Sequence, residues 1–441
     1  MFWLLACIVD PSSTVVAEPL DTGEPFVETD PTFCDELVWR DQLHADTPEE
    51  AELFCAGSGN AVHEATISVP VDCLCAAYDL RIRHEGRAPR LREAGYLSYE
   101  PNRGDLRSLA KLEKVTHELT LSSDLESAEG MDNLVYAYAI VVDETPLTSL
   151  DGLRGDMSAY WVIRDNPDLT DISALRGLGA AEALAIEDNP QLTSLEGLEE
   201  LESAGWMALS GAITSLAPLQ SLQTAEYLRL ARLDLVSLDG LEALAQVADL
   251  RIEDNPVLTD LQALQGLHVE SLRLGGNGAL TDLRGLGATQ PTYAVIADNG
   301  LQTLKPLRFP AEMDRLSLYE SDLQDLSALH DLERIEQLWL GGPGITDLGG
   351  LQSLVVAREL TLRETALTTL DGPQLRNMRS VDLRSNDALS DITMLHDVGT
   401  AWGDVWITDN ATLGDDAAWA MVDAIGQENI HGEITISGNG P

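Results

Sequence analysis

Lysine is almost missing from this chain: Lys111, Lys114 and Lys305 are the only three in 441 residues. Basic residues number 27 against 74 acidic ones, a net charge of -47 spread along the whole sequence. Phosphate backbones need cationic surfaces, so nucleic acid is not expected as a partner. A diffuse acidic field keeps a molecule soluble and repels other anions, but says nothing about fold. Long apolar runs are missing too, and no stretch of about 20 such residues could span a bilayer. Signatures of catalysis are equally scarce. There is no H-E-x-x-H, no phosphate-binding glycine loop and no G-x-S-x-G, and the eight histidines are scattered. Neither an enzyme nor a cofactor or metal is expected.

No cysteine follows Cys75. Cys7 lies near the start, and Cys34, Cys55, Cys73 and Cys75 cluster in one segment. Four cysteines placed so read as a two-disulfide cap, which implies an oxidising compartment. ATISVPVDCLC reads as strand. Cys73 and Cys75 are expected to pair with Cys34 and Cys55 rather than with each other. Zinc is the competing reading, weakened by the lack of C-x-x-C and of a histidine at ligand-like spacing.

What the chain has in quantity is repetition. In DLRIEDNPVLTDLQALQGLHVE, starting at Asp249, leucines fall at Leu250, Leu258, Leu261, Leu264 and Leu267, with Ile252 and Asn255 between. The Leu250 slot recurs at Leu228, Leu272, Ala294, Leu316, Leu338 and Leu360, always 22 residues apart. The first two apolar positions alternate, as in a short strand with apolar side chains inward. A sharp turn follows, with Asn166, Asn189, Asn255, Asn277, Asn299, Asn386 and Asn410 in one slot. An inward amide there can pair backbone groups that the turn would otherwise bury unsatisfied. The later leucines line the back of the coil, in segments such as SLEGL and DLRGL that suit 3₁₀ turns or extended backbone better than α-helix. This is the leucine-rich-repeat pattern. It frays around 207–235, and again where Ser321, Pro343 and Thr365 fill the Asn slot. At 138–142 either Ala139 and Val141 or Ile140 and Val142 could face inward.

The expected organisation is a leucine-rich-repeat solenoid of 22-residue coils with one long parallel sheet and a mostly 3₁₀ or irregular back. Residues 117–412 form the coils, preceded by a cap region at 33–116. The cap begins with helix-forming stretches from Asp35 to Phe54, and a terminal cap is required because a solenoid end exposes an apolar cross-section. Residues 413–441 close the other end as a helix plus a strand. In the helix Ala418, Met421, Val422 and Ile425 share one face, two aspartates open it and Gly426 follows it. Arg81, Arg83, Arg87, Arg90 and Arg92 form the one basic patch, either a solvated loop that neutralises nearby carboxylates or a contact for anionic lipid or polysaccharide.

Residues 1–7, MFWLLAC, resemble the end of a bacterial lipoprotein signal, with Leu4-Leu5-Ala6-Cys7 as lipobox and Cys7 as the lipidation site. They depart from it in lacking a basic n-region and in having only six residues before the cysteine. Residues 8–32, rich in Pro, Thr, Asp and Glu, read as a disordered acidic tether. The repeats resemble those of extracellular bacterial leucine-rich-repeat proteins of the internalin type, and those of receptor L domains, whose coils often read N-P-x-L-x-x-L-x-G-L as NPQLTSLEGL does. The resemblance covers about 118–440. It implies a curved solenoid whose sheet face binds a protein or glycan, but carries over no binding residue.

Stacking the coils in register puts Tyr160, Trp206, Tyr227 and Tyr293 in one outward row. Arg229, Arg251, Arg273 and Trp339 fall in the next, with Tyr319 and Trp406 nearby. Tyr, Trp and Arg anchor interfaces because they bury large area and offer a polar tip. Arginines on adjacent strands would stand about 5 Å apart, close enough to share an anionic ligand, although Asp249 and Glu253 flank Arg251 and could neutralise the row. The acidic turns at Ile186 and Ile252, IEDNP, could hold Ca²⁺ or be ordinary solvated turns. The expected function is non-catalytic binding of a protein or glycan at a bacterial cell surface, by a monomer held to the membrane through its lipid anchor alone. A structural envelope protein without a specific ligand is the alternative.

Overall fold

The structure is a computed structural model that describes residues 39–56, 61–84, 86–101, 104–320, 322–398 and 403–440. The tether, Cys7, Cys34 and Ser321 lie outside the described residues. Strands run from β1 (Trp39–Ala45) to β19 (Ile434–Ser437), each pairing in parallel with the next in sequence, nineteen among the described residues. A chain can pair in parallel with its own next turn only by returning across the back. The coil of about 22 residues is that return.

The strand periodicity of two decides what is buried. Leu228, Leu250, Leu272, Ala294, Leu316 and Leu338 follow one another in register and all are fully buried. Each leucine so removed from water contributes about 1.5–3 kcal/mol. The ambiguous stretch resolves the same way: Ile140 and Val142 point into the core, and Ala139 and Val141 lie on the outer face, opposite Tyr160 and Val162.

The back carries the expected short 3₁₀ turns, among them Ser173–Leu175, Gln262–Leu264 and Ser327–Leu329. Each is started by an aspartate two residues ahead of it. Asp171, Asp260 and Asp325 accept from the amides of Ser173, Gln262 and Ser327 at 2.7, 2.6 and 2.8 Å. A short acidic side chain can close such a turn on its own backbone. The glycine of the LxGL segments has a separate cause. Gly285 sits at φ +108°, and a Cβ there would come 1.9 Å from the carbonyl oxygen of Leu261 in the previous coil.

Between strand and back runs a buried polar ladder. Asn255 donates to the carbonyls of Leu230 and Glu253 and to Oδ1 of Asn277, and its own Oδ1 accepts from the Leu233 amide. Asn277 repeats the scheme onto Asn299. Asn166 hands on to Asn189, and Asn386 to Asn410 and then Asn439. At the second frayed region the ladder is continued by a residue the repeat does not mark. Glu320, fully buried, accepts from the Asn299 backbone amide and from its Nδ2 at 2.6 Å. Pro343 brings no donor, and the ladder restarts at Thr365, whose amide and hydroxyl donate to Asn386.

Two expectations about the N-terminal region are corrected. Trp39–Ala45, inside the stretch read as helix-forming, is the strand β1, because Leu43 and Ala45 alternate into the core; the helix α1 is confined to Pro48–Ala56. ATISVPVDCLC is strand only as far as Ile67, and Cys73 and Cys75 lie in the loop before β3 (Ala76–His84). Cys73 nevertheless pairs with Cys55, and Cys75 is also disulfide-bonded. The sheet itself runs through 39–116 without a break. Arg81 and Arg83 are strand residues, each paired with Glu100. At the other end the helix α2 (Asp415–Ile425) buries Ala418, Met421, Val422 and Ile425 as its spacing predicts.

Gly285→Ala should destabilise by roughly 3–5 kcal/mol, because backbone strain and a collision with the neighbouring coil add. Gly177→Ala, at φ +91° with open space around its Cβ position, should lose only about 1–2 kcal/mol. Urea melts of both variants compare them; equal losses would mean the coils part easily.

Burial raises the Glu320 carboxyl pKa, the Asn299 and Leu301 donors oppose this, and the balance leaves it above the ordinary 4.5. The native state then keeps a proton that the unfolded chain has already released, so this group's contribution to stability falls as pH rises from the unfolded to the folded value. Glu320→Gln should therefore gain on the wild type in melting temperature between pH 4 and 7. A difference that stays constant over that range refutes the assignment.

Candidate ligand-binding face

The outward side chains of the strands form rows set by the ladder register. One row contains Tyr96 and Glu118, then Ala139, Tyr160, Ala183, Trp206, Tyr227, Asp249, Ser271, Tyr293 and Arg315. The next contains Arg229, Arg251 and Arg273, then Val295, Ser317, Trp339, Thr361, Asp382 and Trp406. Tyr319 belongs to a third row, where its ring lies against Gly341.

The rings lean on their neighbours. Trp206 and Tyr227 stack at 5.4 Å with planes 7° apart, Tyr138 and Tyr160 sit at 4.8 Å, and Tyr96 stacks on His117 at 4.7 Å. Toward the C-terminal end arginines fill the gaps. Arg251 covers Tyr227 at 4.9 Å, Arg315 lies over Trp339 at 5.0 Å, and Arg384 over Trp406 at 5.6 Å. A guanidinium over a ring face contributes about 0.5–1 kcal/mol where exposed and more where water is excluded.

Carboxylates neutralise most of the arginine heads. Arg229 lies 3.5 Å from Glu187 and 3.1 Å from Glu253, and Arg251, buried, binds Asp249 at 3.0 Å. Asp382 holds Arg363 and, at 2.7 Å, Arg384. Of the three stacked arginines, only Arg273 keeps a guanidinium that no carboxylate of the described residues matches. The acidic turns are likewise engaged: Glu187 pairs with Arg229, Asp188 with Arg232 at 2.9 Å, and Glu253 with Arg229. Among the described residues no group of three acidic, histidine or cysteine side chains could hold a metal ion.

Burial perturbs the titration of several groups on the face. Burial and hydrogen bonds with Glu182 and Tyr138 push the Tyr160 hydroxyl upward, and burial does the same for Tyr96 and Tyr227. Burial lowers His117, which keeps its stack on Tyr96 uncharged near neutral pH. The face therefore offers hydroxyl donors and neutral ring edges.

Five aromatic residues on this face escaped the repeat pattern: Tyr78, Tyr96, His117, Tyr136 and Tyr138. Tyr78, Tyr136 and Tyr138 are among the most exposed large apolar side chains of the molecule. The first two residues fall in 33–116, read as cap, where no coil could be aligned. The available signal was the repeated apolar alternation of LREAGYLSY and KVTHELTL.

No family model matches the chain, and no curated protein matches it in sequence. Solved structures do. An internalin (inlF) from Listeria monocytogenes is 15% identical, covering 80% of this chain and 76% of its own, with a TM-score of 0.33. A leucine-rich-repeat protein of Leptospira interrogans, LIC12759, is 13% identical over 82% of this chain and 90% of its own, at 0.37. The functional domain of InlJ from Listeria monocytogenes is 15% identical over 69% and 74%, at 0.30. With its parallel strands, its fully buried leucine column and its segments of asparagine ladder, the chain is a leucine-rich-repeat solenoid.

Proposed function

We propose that the chain is a non-catalytic binding protein that takes a protein ligand on its sheet face, at the surface of a cell. The observation that carries this reading is the line of aromatic and arginine side chains across successive strands, interrupted at Ala183 and Ala185, in a chain with only 5% aromatics. Such residues dominate binding energy where they cluster. A protein is favoured over a glycan because the rings stack on one another and under guanidinium groups. Sugar rings pack on open aromatic faces, and at Tyr227, Tyr293 and Trp339 both faces are taken, so edges, hydroxyls and guanidinium donors are what a ligand meets there. The Cys55–Cys73 disulfide supports an oxidising, extracytoplasmic setting. Lipidation at Cys7, with 8–32 as the spacer, completes the reading, and the solenoid is displayed as a monomer.

Tyr138, Tyr160 and Trp206 replaced together by alanine should reduce capture of extracellular proteins by at least about tenfold, as expected for several anchors lost at once, with little change in melting temperature. Undiminished capture removes this face from consideration. No capture by the wild type favours a spacer, and a glycan-array signal that the triple variant loses favours a sugar ligand. The anchor is checked by mass spectrometry of the mature N-terminus, where Cys7 should carry acyl chains; an unmodified Cys7 ends the lipoprotein assignment.

A further inference from the structure

The face is not uniformly neutralised. Arg273 on strand β12 (His268–Gly275) and Arg315 on β14 (Glu312–Tyr319) flank Tyr293 on β13 (Tyr293–Ala297). Their guanidinium carbons lie 5.4 and 5.8 Å from the centroid of the Tyr293 ring. Arg273 reaches the Tyr293 hydroxyl at 3.4 Å, and Arg315 donates through Nε to the Ser317 hydroxyl at 3.1 Å. Neither has a carboxylate within ion-pair distance among the described residues, although the chain holds 74 acidic residues and Arg229, Arg251, Arg363 and Arg384 on the same face are all matched. Nε of Arg273 and the indole nitrogen of Trp339 are buried without an acceptor. A buried donor left unpaired is unfavourable, and its natural complement is an anionic acceptor.

On the Arg315 side the surface admits an acceptor. A cleft of about 310 Å³ opens beside Tyr293, Arg315 and Gln337, with Arg358 and Arg379 also on its wall; Arg273 stands outside it, across the Tyr293 ring. Two of the carboxylates around it are already engaged: Glu336 with Arg358 at 3.1 Å, and Glu359 as acceptor from Gln337 at 2.8 Å. Asp314 also lines it. Rings hold both guanidinium planes, so little side-chain freedom remains to be lost on binding.

We propose that Arg273 and Arg315, braced on either side of Tyr293, form a subsite for the carboxylate side chains of an acidic segment in a protein partner. This rests on the reading of the sheet face as a protein-binding surface and narrows it to one class of partner. The strands that carry the two arginines stand about 10 Å apart, and an extended segment crossing them spaces alternate side chains about 7 Å apart, a difference that the flexible glutamate side chain takes up. The molecule's net negative charge opposes approach from a distance. At physiological salt that field is screened beyond about 8 Å, and the local pair then decides.

Titration calorimetry of the full chain with N-acetyl-tetraglutamate amide tests this, with the tetraglutamine peptide as neutral twin and sodium sulfate as a simple anion. The wild type should bind the glutamate peptide saturably and the glutamine peptide not at all. Arg273→Gln with Arg315→Gln should weaken binding about 30-fold or more, in line with truncation of charged hydrogen-bonded pairs. Arg284→Gln, which removes an exposed arginine paired with Asp282 far along the coil, should leave it within about twofold, as expected for a surface ion pair. Should the double glutamine variant fail to fold, Arg273→Lys with Arg315→Lys keeps the charge and loses the planar fork, and a drop in affinity of about tenfold is then expected. The subsite is overturned if the wild type ignores the glutamate peptide, if glutamine binds equally, if sulfate binds as tightly, or if the variants bind unchanged. Protein capture that depends on Tyr138, Tyr160 and Trp206 but survives the arginine substitutions would remove the subsite and leave the face reading intact.

Discussion

The constraint on which this architecture depends is the satisfaction of backbone polar groups at a turn that recurs, buried, in most of the coils from Thr145 onward. A carboxamide meets it: Asn255 donates to two carbonyls, one of them in the preceding coil, and its oxygen receives the preceding amide. Aspartate could accept but not donate, and would bring a charge into the core. Because Asn166, Asn255, Asn277, Asn386 and Asn410 also donate to the next asparagine, those coils are pinned at the turn as well as along the strand, and a chain of such bonds strengthens its members. Glu320 shows the limit of the arrangement. It can receive from Asn299 but passes nothing onward, and the following coil has Pro343 in the slot. The ladder therefore comes in segments, from Thr145 to Asn189, from Leu233 to Glu320 and from Thr365 to Asn439.

With the interior occupied by leucine and asparagine, variation is confined to the outward strand positions. There a parallel register does what a repeat motif does not: it brings residues 22 apart in sequence to about 5 Å. Trp206 and Tyr227 become a stacked pair, and Arg315 a wedge between Tyr293 and Trp339, through register alone. The N-terminal half of the face pairs aromatic side chains with small ones, Ala139, Val141, Val162, Ala185 and Ala208. The C-terminal half interleaves rings with guanidinium groups. One sheet thus carries an apolar, hydroxyl-edged region and a region rich in guanidinium donors.

The core was readable because its cause is periodic. The spacing at Leu250, Leu272 and Leu316 specifies solenoid, register and back turns together, and the glycine of SLEGL and DLRGL follows from the close approach of neighbouring backbones. What escaped was aperiodic. The first strands lack the asparagine and the full leucine set, so Tyr78 and Tyr96 could not be assigned to a face. The role of Glu320 was hidden because the repeat points at Ser321, one residue away. The row of Arg229, Arg251 and Arg273 could be drawn from the spacing, but its neutralisation depends on rotamers. Glu187 reaches Arg229 from two strands away, a contact that no linear spacing encodes.

The near absence of lysine then acquires a physical reason. Nearly all the chain's cations are arginine, and on the sheet face they do what an ammonium cannot: lie flat on Tyr227 or Trp339 while the fork engages a carboxylate or hydroxyl. A lysine has no plane to stack and keeps a tighter hydration shell. In a chain so rich in carboxylates, lysines would be drawn into loose surface pairs that contribute little. Arginine converts the same scarce positive charge into rigid scaffolding, and at Arg273 and Arg315 the hydroxyls of Tyr293 and Ser317 stand where a carboxylate stands elsewhere on the face.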